Sequence, residues 1–272
     1  IAGRLGRVKG LVRTHHGRGL IGSRGKYNLI ELINALFLTD GAIAVSHDLE
    51  NLLVVFGIPA KKIIVIHNGI APCEHVSEKK AKALRMELGI ENDEWIIGTI
   101  GRLVPIKDHQ MFLNSAKLIL DAGMNVRFVL VGDGNLRDNL EQQVKNLGID
   151  RKVCFAGFRE DAKDLLDLFD VFTLSSLHEG IPIALLEAMI LGKPVVVTRV
   201  GGISEVVRDH VCGMLVPSGD AKSFAEACLK VLQDKVLRDA LSENAYKTIQ
   251  ENYSLDIMVN KTRDVYRKVR AV

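Results

Sequence analysis

The chain has 272 residues, 47% hydrophobic and 25% charged, with a formal net charge of +3. This is the balance of a globular protein with one large domain or two Rossmann-sized ones; the small charge and the absence of a basic run interleaved with aromatics argue against nucleic acid as a partner. Cys73, Cys154, Cys212 and Cys228 lack pair spacing and read as reduced thiols of a cytosolic chain without a zinc module, and no apolar run reaches the ~20 residues that span a bilayer.

The chain opens at Ile1 without a Met or a signal-peptide pattern, and Gly3-Arg4-Leu5-Gly6-Arg7 does not read as a domain start, so a fragment is expected. Strand and helix patterns then alternate throughout, which predicts parallel sheets covered by helices. A strand is expected over Val8–Arg13, a helix over Lys26–Leu38 and a buried strand over Ala42–Val45. Ser46 can cap a helix from His47 to Phe56, stopped by Gly57-Ile58-Pro59. Ile63–Ile66 reads as a strand ending in His67-Asn68-Gly69-Ile70, and a hinge is placed near Ala71–Val76.

After a polar helix, Glu78–Leu88, a second series begins. It reads strand Trp95–Ile100, helix His109–Ala122, strand Val126–Val131, helix Leu136–Leu147, strand Val153–Ala156, helix Asp161–Leu168 and strand Val171–Ser175. Helix Pro182–Leu191, strands Val195–Thr198 and Met214–Val216, and helices Ser223–Leu232, Lys235–Glu251 and Leu255–Arg270 complete it. The expected organisation is residues 1–75 as part of one Rossmann-like domain, 76–254 as a complete one, and 255–272 as a helix returning to the first.

Two carboxylates, Glu179 and Glu187, stand eight positions apart around a Gly-Ile-Pro helix start. Pro182 is predicted at the first helical position, where its missing N–H costs nothing. That places Glu179 at the mouth of the helix and Glu187 roughly a turn and a half inside it. A helix N-terminus offers free N–H groups and partial positive charge to a phosphate. Glu187 has apolar neighbours and can accept from the two hydroxyls of a ribose diol; the plain alternative is a solvent-facing helix glutamate. Glu179 lies on a loop between strand and helix, where chemistry tends to sit; its plain alternative is a carboxylate complementing the helix dipole.

Gly101-Arg102-Leu103 with Lys107 follows a strand directly, and ligands of doubly wound sheets bind at the carboxyl ends of strands. The guanidinium fork and the ammonium could together neutralise a diphosphate; two solvated loop charges are the alternative. Gly132-Asp133-Gly134-Asn135-Leu136-Arg137 lacks the third glycine of a dinucleotide fingerprint and reads as a tight strand-to-helix turn. Adjacent His15 and His16 point to different sides and have no third ligand nearby, and Asp167-Leu168-Phe169-Asp170 is not a metal motif, so no metal site is expected. Gly201-Gly202-Ile203-Ser204-Glu205 reads as a backbone-close turn, with Glu205 capping the segment after it.

In order, the E-x7-E spacing, the buried strand and the Gly-Gly-x-x-Glu turn resemble the donor site of the retaining glycosyltransferases of family 4. The resemblance covers nearly the whole chain and is strongest from Ile97 to Val216. It implies an α/β fold of GT-B type, two Rossmann-like doubly wound parallel-sheet domains with the N-terminal, acceptor-side one incomplete. It implies that Arg102 and Lys107 contact the donor diphosphate, that Gly180 and Ile183 line the donor, and that Glu187 holds the nucleotide ribose. Glu179 would lie beside the transferred sugar and support an oxocarbenium-like transition state; His16, in a Thr-x-His-Gly-like segment, would line the interdomain cleft as a second catalytic residue. The sequence departs from the family where Ile181-Pro182-Ile183 replaces an aromatic-Gly pair, and Pro182 is expected to remove a donor N–H there.

The activity so implied is transfer of a hexosyl-type sugar from a UDP- or GDP-sugar to a glycan, lipid-linked or small-molecule acceptor. It needs neither cofactor nor metal, and it takes place in the cytoplasm, with peripheral association at the inner membrane face as an option. Two other readings stay open: a GT-B sugar-nucleotide 2-epimerase, and a catalytically incomplete nucleotide-binding module. The incomplete first domain predicts a chain that associates or dissolves poorly, binds nucleotide and does not transfer sugar by itself.

Overall fold

The computed structural model describes residues 8, 10–17 and 39–271. The predicted helix Lys26–Leu38 and the opening Ile1–Arg7 lie outside them. The described residues form two parallel sheets. The first has the order β1-β2-β3, with β1 Val12–His15, β2 Gly41–Ala44 and β3 Ile63–Val65. The first strand thus starts later than its apolar run suggested and takes in Thr14 and His15, because Val12 to His15 are the residues that pair with Gly41 to Ala44. Helix α1, His47–Val55, follows β2 and buries Leu49 and Leu53.

The second sheet has six strands: β4 Trp95–Ile100, β5 Val126–Val131, β6 Val153–Gly157, β7 Val171–Leu174, β8 Val195–Thr198 and β9 Met214–Val216. Their order is β6-β5-β4-β7-β8-β9, all pairs parallel. The other α-helices among the described residues are α2 Glu78–Glu87, α3 His109–Asp121, α4 Arg137–Asn146, α5 Ala162–Asp167, α6 Ile183–Ile190, α7 Ile203–Val206, α8 Ala221–Gln233, α9 Lys235–Asn252 and α10 Leu255–Ala271.

A parallel sheet needs both faces covered, so its strands read as continuous apolar runs. In β4, Ile96 and Ile97 are both fully buried on opposite faces: Ile96 joins Val129, Phe172 and Leu185, while Ile97 joins Phe112, Phe128 and Phe224. Gly98 of β4 cannot be larger, since a Cβ there would come within 2.2 Å of the Phe169 ring.

Helix α10 packs on the first sheet, Val265, Met258 and Val269 meeting Ile43 and Ile66. The chain therefore crosses between the sheets twice. The crossings run side by side: Ile70 N donates to Tyr253 O and Leu255 N donates to Ile70 O, each at 2.9 Å. Gly69 sits where a Cβ would meet Ser254 O at 2.5 Å. No helix among the described residues is long and apolar enough to cross a membrane.

Candidate active site

The six-stranded sheet reverses its winding between β4 and β7. The loops leaving two such strands diverge to opposite sides, and the crevice between them is where doubly wound folds hold ligands. Here those loops carry Arg102 and Lys107 on one side and Glu179 on the other. They are tied together: Leu177 N donates to Ile106 O and Ser175 Oγ to Lys107 O, both at 2.8 Å. Lys107 Nζ lies 2.5 Å from Glu179 Oε1, with the two side chains only 17% and 13% exposed. Ser176 Oγ donates to the same Glu179 oxygen at 2.7 Å. Arg102 is exposed and forms no ion pair with a described residue, so its guanidinium remains available to an anion.

Two glycines set the shape of the Arg102 loop. A Cβ on Gly132, which has φ +131°, would lie 2.0 Å from Gly101 O, and one on Gly134 would lie 2.4 Å from Leu103 O. The Gly132-Asp133-Gly134 turn is thus a backbone support for the Gly101–Leu103 segment. Behind it, buried His109 donates from Nε2 to Arg102 O at 3.2 Å, and its Nδ1 has no partner. Burial lowers the His109 pKa to about 4, with Lys107 adding to the effect against the Arg102 carbonyl.

Helix α6 carries the remaining predicted donor residues. Pro182 is its N-cap, with extended backbone at ψ 130°, and not its first helical residue. Pro182 still offers no N–H, as expected, but it stands just before the helix; the first-turn amides begin at Ile183, and no side chain caps them. Glu187 is half-buried and meets Lys163 Nζ at 3.1 Å. The Glu187 carboxylate holds the Lys163 ammonium above its usual pKa. Lys163 carries no signal in the sequence, because its link to Glu187 joins α5 to α6.

The first sheet reaches this site directly. His16 is exposed, and its carbonyl oxygen would sit 2.7 Å from a Cβ on Gly180. His16 is thereby brought beside Glu179-Gly180, as is Asp48, whose Oδ2 lies 3.2 Å from His178 Nε2. Asn68 Nδ2 donates to Ile181 O at 2.8 Å in a buried contact. Gly201 and Gly202 allow the turn after β8 to press on this loop. A Cβ on Gly201 would lie 2.0 Å from Glu179 O, and one on Gly202 would lie 2.5 Å from Gly180 O.

Glu205 does not cap the segment that follows it. Its Oε2 accepts from His47 N and its Oε1 from Asp48 N, each at 3.0 Å, so it caps α1 of the other sheet unit. His67 Nε2 lies 3.0 Å from Glu205 Oε2. His47, His67 and Glu205 each place one ligand atom within 4.8 Å of the others, a grouping invisible in sequence because its members are far apart. Both Glu205 oxygens already accept amide protons at the positive end of α1, where the helix dipole opposes a cation. The cluster is a hydrogen-bonded clasp around the Glu205 carboxylate.

The family description "Glycosyl transferases group 1" matches residues 80–248, and "Glycosyltransferase Family 4" matches residues 1–72. An uncharacterised glycosyltransferase of Methanocaldococcus jannaschii is 35% identical over 83% of this chain and 59% of its own length. The UDP-Gal:alpha-D-GlcNAc-diphosphoundecaprenol alpha-1,3-galactosyltransferase of Escherichia coli is 30% identical over 98% of this chain and 71% of its own length. This chain thus spans roughly six to seven tenths of these relatives. Among solved structures, the Anabaena protein HepE in complex with UDP and glucose superimposes with a TM-score of 0.90 at 24% identity, over 98% of this chain and 73% of that one. That likeness shows a shared GT-B fold.

Proposed function

Because the chain belongs to the group 1 glycosyltransferases of family 4, we propose that it is the donor-binding part and a portion of the acceptor side of a retaining glycosyltransferase. The observation that carries this reading is the Lys107–Glu179 pair at the switch point, with the free guanidinium of Arg102 on the same loop. A nucleoside diphosphate leaving group needs its developing charge neutralised. In our reading Arg102 and Lys107 supply that charge, the uncapped amides of α6 from Ile183 onward add to it, and Gly180 lets the backbone come close. No metal is required by this arrangement.

Glu187 in this proposal accepts from the ribose hydroxyls, a role that its half-buried place inside α6 suits. Glu179 faces the sugar. When the diphosphate draws Lys107 away, the carboxylate is left with only the Ser176 hydroxyl on Oε1 and can stabilise positive charge at the reacting carbon. His16 lines the opposite wall of the cleft, beside Gly180. The donor we propose is a UDP-hexose: the Escherichia coli relative is named for UDP-Gal, and the Anabaena structure holds UDP. A lipid-linked acceptor like that in the same relative's name would bring the chain peripherally to a membrane surface, which a net charge of +3 permits.

The test is calorimetric titration of UDP and GDP with EDTA present, followed, in an enzyme carrying the whole acceptor domain, by incubation with labelled UDP-sugar and an acceptor and analysis of the product anomer. Binding of UDP without metal and a product with the donor's anomeric configuration are expected. Binding only after magnesium is added, or release of a free 2-epimer, would contradict the proposal.

A further inference from the structure

Helix α1 has an unusual N-terminus. The first amides of a helix have no partner inside it and are normally capped by the residue just before. Ser46 does this for one of them, its Oγ accepting from Leu49 N at 3.1 Å. The amides of His47 and Asp48 are instead taken by Glu205, one oxygen each, from the turn after β8 of the other sheet unit. The cap of this helix is thus divided between two units that could otherwise part.

Glu205 is held at both its side chain and its backbone. His67 Nε2 holds Oε2, and the Tyr253 hydroxyl donates to the Glu205 carbonyl at 2.7 Å. The His67 ring is placed by its neighbours, with the Tyr253 ring at 5.5 Å and the His47 ring edge-on at 5.8 Å. Glu205 is 19% exposed. A carboxylate at a helix N-terminus, with charge-assisted bonds to two amides, is among the stronger ways of closing a polar junction.

The turn that carries Glu205 also carries Gly201 and Gly202, whose backbone presses on Glu179 and Gly180. Gly202 N donates to Glu179 O at 3.2 Å. One short segment therefore touches the Glu179 backbone at one end and grips the first unit at the other. On the same side of the junction, Asp48 faces His178, the residue preceding Glu179.

We propose that Glu205 is a positioning residue for sugar transfer: it clasps α1 across the junction and so holds the first unit, with His16 and Asp48, against the Glu179 loop. This rests on the glycosyltransferase reading for its purpose, though the clasp itself can be measured apart from activity. Glu205 has no place in the donor site, so removing it should open the junction without weakening the nucleotide.

The experiment uses the full chain with a pair of fluorophores attached through non-natural side chains at Val55 and Val236, exposed positions on α1 and α9. Single-molecule energy transfer reads the distance between units, hydrogen exchange reads the His47 and Asp48 amides, and calorimetry reads UDP binding. In Glu205→Ala the distance distribution should broaden toward longer separations and exchange at the two amides should quicken at least about tenfold, the loss of a charge-assisted bond. UDP affinity should stay within about threefold of the unsubstituted chain. Glu205→Gln keeps one acceptor oxygen and should fall between the two.

An unchanged distance distribution in Glu205→Ala would overturn the proposal. So would a fall in UDP affinity as large as that for Arg102→Ala, since Glu205 would then act on the donor site itself. If the unsubstituted chain failed to bind UDP, the functional reading would fail and with it the positioning role, while the distance measurement would still decide the clasp.

Discussion

Lys107 and Glu179 neutralise one another across the crevice between two strand-end loops, with 2.5 Å between Nζ and Oε1. They come from opposite sides of the sheet's reversal, so neither loop alone contains the pair. A diphosphate entering beside Lys107 competes with Glu179 for the ammonium. Lys107→Ala should therefore weaken UDP binding by about 1.5–3 kcal/mol, roughly ten- to hundredfold, the range for a hydrogen bond to a charged group. Glu179→Gln should leave UDP affinity within about threefold, because it removes a competitor and no ligand contact. Calorimetry on both variants decides the matter; equal losses would show that the two residues do not divide their roles.

Glu187 is expected to act on the ribose alone. Glu187→Ala should cost UDP about 1–2 kcal/mol, and the difference between variant and parent should shrink when the ligand is 2′-deoxy-UDP. Lys163→Ala should have a much smaller effect, within about 1 kcal/mol, because its side chain is 59% exposed and water screens the pair. A Glu187 effect of the same size on both nucleotides would mean that the carboxylate does not meet the 2′-hydroxyl.

Glu94 is fully buried at the side chain, with Arg127 Nη2 at 3.1 Å and Lys152 Nζ at 2.6 Å. Burial alone would raise its pKa, but Lys152, the Glu91 amide and Arg127 together hold it below the usual value. Glu94→Gln should destabilise the chain at pH 7 by about 3 kcal/mol, since two cations lose their buried partner. A depressed carboxylate pKa contributes stability above the unfolded value, and that contribution is lost as pH falls through the folded one. The gap between parent and variant in urea unfolding should accordingly narrow below about pH 4. A constant gap from pH 7 to pH 3 would contradict the assignment.

His109 has the same proton sign from a different cause, burial and not ion pairing. Its pKa is lowered from 6.5 to about 4, chiefly by burial. The folded state then binds fewer protons than the unfolded one between these values, so stability is full above about pH 6.5 and falls as pH drops toward 4. The loss should reach about 3 kcal/mol at the lower end. His109→Gln should flatten this part of the profile and, by keeping a donor toward the Arg102 carbonyl, should leave UDP affinity closer to the parent than His109→Leu does. Identical pH profiles for parent and His109→Gln would show that the imidazole does not titrate with folding.

The sheet of the second unit was legible almost residue by residue. Trp95–Ile100, Val126–Val131, Val195–Thr198 and Met214–Val216 occupy the ranges that their apolar runs predict, because a strand covered on both faces reads as a nearly continuous apolar run. The short strand at Val12–His15 was less legible: two of its four residues are exposed, and its pairing with β2, not its hydrophobicity, sets its ends. Of the site, Arg102, Lys107, Glu179 and Glu187 could be picked out by their positions at strand ends and at a helix start. Lys163, His178 with Asp48, and the destination of Glu205 could not, since each depends on how distant segments meet. Pro182 stands one position before the first helical residue that its type predicts, because proline suits both the N-cap, with its extended backbone, and the first helical turn.

The paired crossings at Ile70 and Ser254 have a mechanical meaning. Two lengths of backbone lying side by side and hydrogen-bonded to each other form a flat strap. A strap folds readily across its width, but it resists twisting and sideways shear, because either would break the bonds that join its halves. Gly69 fitted against Ser254 removes the slack that a side chain would create. The two sheets are therefore joined by two lengths of chain that are bonded to each other, so neither crossing can shift without breaking its bonds to the other.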